Sequence, residues 1–269
     1  MYVYDRKILT IVSDYGNTYV RILTIVTVKE DQWLQDSNIE FFYEWMEREK
    51  LPKAEIQSIF LLRPSIGFLI ASIAQQGGVV DESLLPTDFL DAKYVFIPVT
   101  DNVDPTKAGG SHWSLLLVGV AEKTAWYLDS LPTSGPDKLT DARCYSKAID
   151  QVFQCQFELV VAPAPKQVNG SDCGIHVCME TDILLGRLQA TKDGAAIPFD
   201  PSLATQSMNA SAYRESLQKL IHDMIQYRGR RIGKVEDITV SPERRSSSRT
   251  RPSIDQRLEA HGMPEKIPE

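Results

Sequence analysis

The chain has 269 residues, 43% hydrophobic and 24% charged, enough to bury a core in one large domain or two small ones. Its formal charge is -7, and because basic residues gather beyond Arg228 the body is more acidic than the whole, which repels nucleic-acid phosphates and favours encounter with a basic protein. Four cysteines (Cys144, Cys155, Cys173, Cys178) with no CxxC pair exclude a disulfide scaffold and a cysteine-based zinc site, and predict a reducing compartment, cytoplasm or nucleus.

Residues 1–28 repeat Ile-Leu-Thr-Ile-Val around the turn-like Asp14-Tyr15-Gly16-Asn17, a pattern that predicts a β-hairpin, although chance duplication in β-rich sequence explains it equally. Arg6, Lys7, Asp14 and Arg21 interrupt its apolar runs, so neither a membrane helix nor a signal peptide is expected. From Ser37 the spacing of Ile39, Phe42, Tyr43 and Met46 predicts a helix that ends at Leu51-Pro52, with Ser37 and Glu40 as a capping box. Short apolar runs at 94–99, 113–119 and 125–128 read as strands of a buried sheet, the last two joined as a hairpin through Glu122-Lys123. Ala142, Tyr145, Ile149, Val152 and Phe153 mark a further amphipathic helix, and residues 157–161 another strand.

The loop Ala162-Pro163-Ala164-Pro165-Lys166-Gln167-Val168-Asn169-Gly170-Ser171 forbids regular structure, and Ser171 or Asp172 can cap a central helix through Ile175, Met179, Ile183 and Leu184. A last helix carries Tyr213, Leu217, Leu220, Ile221, Met224 and Ile225 on one face. Beyond Arg228 the segment with Arg244-Arg245-Ser246-Ser247-Ser248-Arg249 has no periodicity and predicts a disordered basic tail, with nuclear import or phosphorylation as a further reading. Three regions follow: 1–28 as a lead-in, 29–228 as a catalytic domain and 229–269 as the tail.

Cys173 stands at the first turn of its helix, where unpaired backbone N–H groups and the helix dipole favour a thiolate. The other three cysteines have no such setting and read as packing. Of four histidines, His112 opens a strand after Gly109-Gly110 and suits a base. His176 shares the helix of Cys173 and reads as packing or surface, while His222 and His261 read as solvated. Asp129 ends the strand paired with that of His112, so the hairpin brings it beside the imidazole, though a strand-terminal Asp also serves turns. The N–H of Cys173 and the amide of Gln167 are candidate donors to an oxyanion.

In order and spacing, the motifs Trp33-Leu34-Gln35-Asp36-Ser37-Asn38-Ile39, Gly109-Gly110-Ser111-His112-Trp113-Ser114-Leu115-Leu116, Tyr127-Leu128-Asp129-Ser130 and Gln167-Val168-Asn169-Gly170-Ser171-Asp172-Cys173-Gly174 resemble the sentrin-specific, or Ulp, family of ubiquitin-like protein proteases. The resemblance covers residues 30–188. It implies an α+β papain-like fold, a triad of His112, Asp129 and Cys173, and Gln167 in the oxyanion hole. It further implies that Trp33 and Trp113 wall a tunnel for a Gly-Gly tail, with core packing as the alternative, and that Asp36 holds the tail, with helix capping as the alternative.

Val95-Phe96-Ile97-Pro98-Val99-Thr100-Asp101-Asn102 looks most like the deneddylase branch, whose members act on the modifier attached to cullins. A SUMO-specific protease and an acyltransferase with the same triad are the alternatives, a non-catalytic modifier-binding protein a third. No metal or organic cofactor is required by this chemistry, and the expected state is a monomer that binds a ubiquitin-like modifier and its conjugates, with no nucleic acid and no membrane.

Overall fold

A computed structural model describes residues 28–51, 58–102, 104–107, 109–131, 139–190 and 200–231, with side chains in the last segment through Met224. The expected N-terminal hairpin and nearly all of the expected basic tail lie outside these residues. Five strands, β1 (Ile59–Leu61), β2 (Tyr94–Thr100), β3 (Trp113–Gly119), β4 (Thr124–Leu128) and β5 (Glu158–Val161), lie side by side in chain order. The outer pairs are parallel and the two inner pairs antiparallel. The helices are α1 (Asp36–Glu49), α2 (Pro64–Gln75), α3 (Thr140–Phe153), α4 (Cys173–Ala190) and α5 (Ala210–Arg231).

The sheet is covered on both faces. Phe96, Leu115, Leu117 and Leu128 join the cluster built with α1, α4 and α5, whereas Val95, Ile97, Leu116 and Val118 join the one built with α2 and α3. Two buried faces leave no solvent side, which is why β2 and β3 read as continuous apolar runs rather than alternating ones. α4 is central as expected: its first nine residues, Cys173 to Thr181, are all buried. Lys123 takes a left-handed backbone (φ 51°) in the β3–β4 turn, which closes where the sequence predicts.

Two local expectations are corrected, and two elements had none. The capping box of α1 lies two residues earlier than Ser37 and Glu40: Gln35 is the N-cap, and its N–H donates to Asn38 Oδ1 at 2.7 Å. β1 and α2 carried no legible signal, the first because it is three residues long, the second because it is apolar all round and has no stripe to reveal its period. Asp172 does not spend its carboxylate capping α4; Oδ1 accepts from Arg214 and Oδ2 from Asn169.

Leu116 is fully buried where the sheet meets α2 and α3. Leu116→Ala is expected to lower stability by about 2–5 kcal/mol through lost burial and a residual cavity, read as a shift in the urea midpoint at unchanged slope.

Candidate active site

The β3–β4 register fixes the first two members of the site. Leu115 pairs with Leu128. Continued by one pair, the ladder sets Asp129 opposite Ser114 and makes His112 its diagonal neighbour. His112 Nε2 accordingly lies 2.7 Å from Asp129 Oδ1. Cys173 stands close enough for its charge to act on the imidazole, and with Nε2 on Asp129, Nδ1 is the nitrogen left for the sulfur. Residues from the start of β3, the end of β4 and the first turn of α4 thus meet at one end of the sheet.

Each member is held by neighbours that local sequence patterns do not reveal. Asp101 Oδ1 accepts from the backbone N–H of Ser111 (2.7 Å) and of His112 (3.1 Å), pinning the entry to β3. A Cβ on Gly110 would stand 2.2 Å from Thr100 Oγ1, so the tight loop before His112 needs glycine there. Asp129 accepts further bonds from Leu131 N–H at 2.9 Å and from the Tyr127 hydroxyl at 3.3 Å. Lys166 Nζ donates to the carbonyls of Asp129 (2.9 Å) and Leu131 (3.1 Å), tying the turn after β4 to the loop before α4.

Gln167 joins the same turn. Its N–H donates to Ser130 O at 2.9 Å, and the Ser130 hydroxyl donates to Gln167 Oε1 at 2.6 Å. Its Nε2 donates to Asn169 O at 2.6 Å. A carbonyl only accepts, so these partners fix which way the amide faces and leave its second N–H for an incoming oxygen. Ser130 and Asn169 therefore orient Gln167, a task that their sequence positions alone do not disclose.

Electrostatics follow from the geometry. Burial draws the His112 pKa down, but hydrogen bonds to Asp129 and Cys173 and the charges of both outweigh it, bringing the imidazole to about 9. Burial pushes the Asp129 carboxyl up, yet the bonds from His112 and Leu131 prevail and hold it below its usual value. Glu180 lies buried on α4, its carboxyl pushed up to about 8 by burial first and then by the charge of Asp129, which favours its neutral form at pH 7. His176 is buried 4.0 Å from Glu180, a packing residue and not a surface one. His222 is exposed as expected.

Beside His112 runs a groove of about 320 Å³ whose walls include Asp36, Phe68, Asn102, Gly110 and Trp113. The Trp113 indole N–H donates to Leu34 O at 3.0 Å. A Cβ on Gly174 would come within 2.7 Å of Leu34, so the start of α4 and the Leu34 segment touch closely. Leu34 takes the inward place, and Trp33 is 51% exposed. The core-packing alternative for Trp33 is thereby overturned, and Trp33 is not among the groove walls either. Asp36 is the first residue of α1 and faces the groove, while Gln35 does the capping.

An imidazole at about 9 is cationic at neutral pH. Asp129→Asn removes the anion that raises it, so an NMR titration of the His112 ring should show its midpoint near 9 in the wild type and lower in the variant. An unchanged midpoint would mean that Asp129 does not hold the ring.

Over 215 residues the chain is 33% identical to NEDD8-specific protease 2 of Schizosaccharomyces pombe, covering 79% of this chain and 50% of that protein. It is 31% identical over 212 residues to NEDD8-specific protease 1 of the same yeast, covering 77% and 48%. The chain spans about half the length of these curated relatives. The crystallised C-terminal Ulp1 protease domain in complex with Smt3, the yeast ortholog of SUMO, shares its fold with a TM-score of 0.54 and 21% identity over 82% of this chain and 97% of that one. Residues 32–225 match the family model described as the Ulp1 protease family, C-terminal catalytic domain, and with the α+β papain-like architecture in place the chain belongs to that family.

Proposed function

We propose that this chain is a cysteine protease that cuts after the C-terminal Gly-Gly of a ubiquitin-like modifier, with NEDD8 as the modifier, in its precursor or on cullin conjugates. The observation that carries the reading is the convergence of Cys173 and Asp129 on one imidazole, His112, with Asp129 held on Nε2. Similarity to two NEDD8-specific proteases supports the choice of modifier. All three groups come from one chain, so the triad needs no residue from a second copy.

A cationic imidazole stabilises a neighbouring sulfur anion. Cys173 Sγ attacks the glycine carbonyl carbon, forming a C–S bond and an oxyanion. The Cys173 N–H and the free N–H of Gln167 Nε2 receive that charge, and the orientation imposed by Ser130 has them ready before the substrate arrives. The C–N bond breaks as His112 gives its proton to the leaving amine, and Asp129 holds the ring in place throughout. Water, deprotonated by His112, then hydrolyses the thioester and restores the thiolate–imidazolium pair.

The groove by Trp113 receives the modifier tail, with Asp36 on its wall. The half-exposed Trp33 offers an indole face to such a tail, whose glycines have no side chains to hold it off.

The test is a panel of C-terminally electrophilic probes made from NEDD8, SUMO and ubiquitin. The NEDD8 probe should label Cys173 fastest. Preferential SUMO labelling would reassign the modifier, and acetyl transfer from acetyl-CoA without hydrolysis of modifier fusions would favour an acyltransferase.

Cys173→Ala should abolish turnover while still binding modifier, and Asp129→Asn should lose about 10²–10⁴ in kcat. Ser130→Ala should lower kcat more than it raises KM, because Gln167 acts on the oxyanion and not on the ground state. Turnover should also fall as pH rises through about 9, where His112 loses the proton destined for the amine, and this limb should move to lower pH in Asp129→Asn.

A further inference from the structure

Arg214, on α5, is a buried guanidinium that the triad does not use. It is 3% exposed, in a helix otherwise read as an apolar stripe. Its Nε donates to Asp172 Oδ1 at 3.1 Å, its Nη2 to the same oxygen and to Ser171 O at 3.2 Å. Its Nη1 faces three carbonyls of the segment leading to Trp33: Lys29 O at 2.8 Å, Gln32 O at 3.0 Å and Val28 O at 3.4 Å. One turn further along α5, Gln218 Nε2 donates to Val28 O at 2.9 Å.

The two segments that Arg214 grips both end at the site. Ser171 and Asp172 immediately precede Cys173, and Asp172 Oδ2 accepts from Asn169 Nδ2 at 2.8 Å, so the clamp also reaches the residue that orients Gln167. The segment from Val28 to Gln32 leads to Trp33 and Leu34, and Leu34 both abuts Gly174 and accepts from the indole of Trp113.

We infer that Arg214 is a positioning residue that locks the nucleophile turn and the wall of the tail groove into one register, so that a modifier tail seated against Trp113 presents its carbonyl to Cys173. This rests on the roles proposed above for Cys173 and the groove. A planar fork spreads five donors over three nitrogens in fixed directions and so reaches both chain segments at once; an ammonium has three donors on one nitrogen and cannot span the same set of acceptors. Loss of the fork lets the two segments shift independently, and a displacement of about 1 Å at a reacting centre costs on the order of 10²-fold in rate.

The test uses the full chain with Arg214→Lys, which keeps the charge and loses the fork, and Asp172→Asn, which keeps the shape and one acceptor oxygen. Each is assayed at a temperature where circular dichroism shows it folded. Two readouts are independent of overall stability: the pH profile of Cys173 alkylation by iodoacetamide, and the affinity for NEDD8 measured in a Cys173→Ala background. Both variants should alkylate about tenfold more slowly at pH 7, bind NEDD8 more weakly, and lose on the order of 10²-fold in kcat/KM.

Folded Arg214→Lys with wild-type alkylation and NEDD8 affinity would overturn the inference and leave Arg214 as a prop for α5. If that variant does not fold, Asp172→Asn decides by the same measurements. A wild type that alkylates at Cys173 yet takes none of the modifier probes would instead sink the protease reading, an outcome read without any Arg214 variant.

Discussion

The site depends on how β3 pairs with β4. The side-chain period of a strand is two, so sliding this hairpin by one residue would carry Asp129 to the opposite face and separate it from His112. What prevents the slip is burial on both sides of the sheet. Leu115 and Leu117 fill one core, Leu116 and Val118 the other, and a slipped strand would misfit both at once. The left-handed Lys123 at the turn fixes the loop length and hence the same register from the other end. The ordinary packing of four leucines and valines therefore sets the imidazole–carboxylate distance.

Around that pair the polar groups are arranged so that charge is wanted where it stands. Asp129 takes bonds from His112, Leu131 and Tyr127, which keep it ionised despite burial. Glu180, buried and close enough to feel Asp129, is pushed toward its neutral form, which leaves Asp129 as the carboxylate paired with the imidazole. Lys166 contributes through backbone carbonyls. Its ammonium ties the turn after β4 to the loop of Gln167, and the Ser130 hydroxyl completes that seam. The carboxylate of Asp129 and the amide of Gln167 are thus held in one bonded network beside the start of α4.

Much of this is legible in the sequence. β3 stood out as an apolar run bounded by Gly109-Gly110 and Glu122-Lys123, and the hairpin logic alone brought Asp129 beside His112. The Asn-Gly-rich loop delivered Cys173 to a helix start. Other elements gave no such handle. α2 has no polar face against which a period could be seen, and β1 is too short for one. Trp33 was ambiguous between core and tunnel wall because a lone tryptophan carries no directional information; its exposure follows from Leu34 taking the inward place.

The sequence by itself determined which elements form and which chemical groups stand at their ends, because strand period, helix start and turn chemistry are local properties of neighbouring residues. Tertiary structure alone decided the partners that hold those groups. Asp172 looked like a helix cap and became the anchor of Arg214, 42 residues away, and the Ser130 hydroxyl found Gln167 across a gap of 37. Such bonds leave no periodic trace. A buried guanidinium or hydroxyl is satisfied by whichever acceptors the packing of the sheet and helices brings within about 3 Å, and that is fixed only when the whole chain has folded.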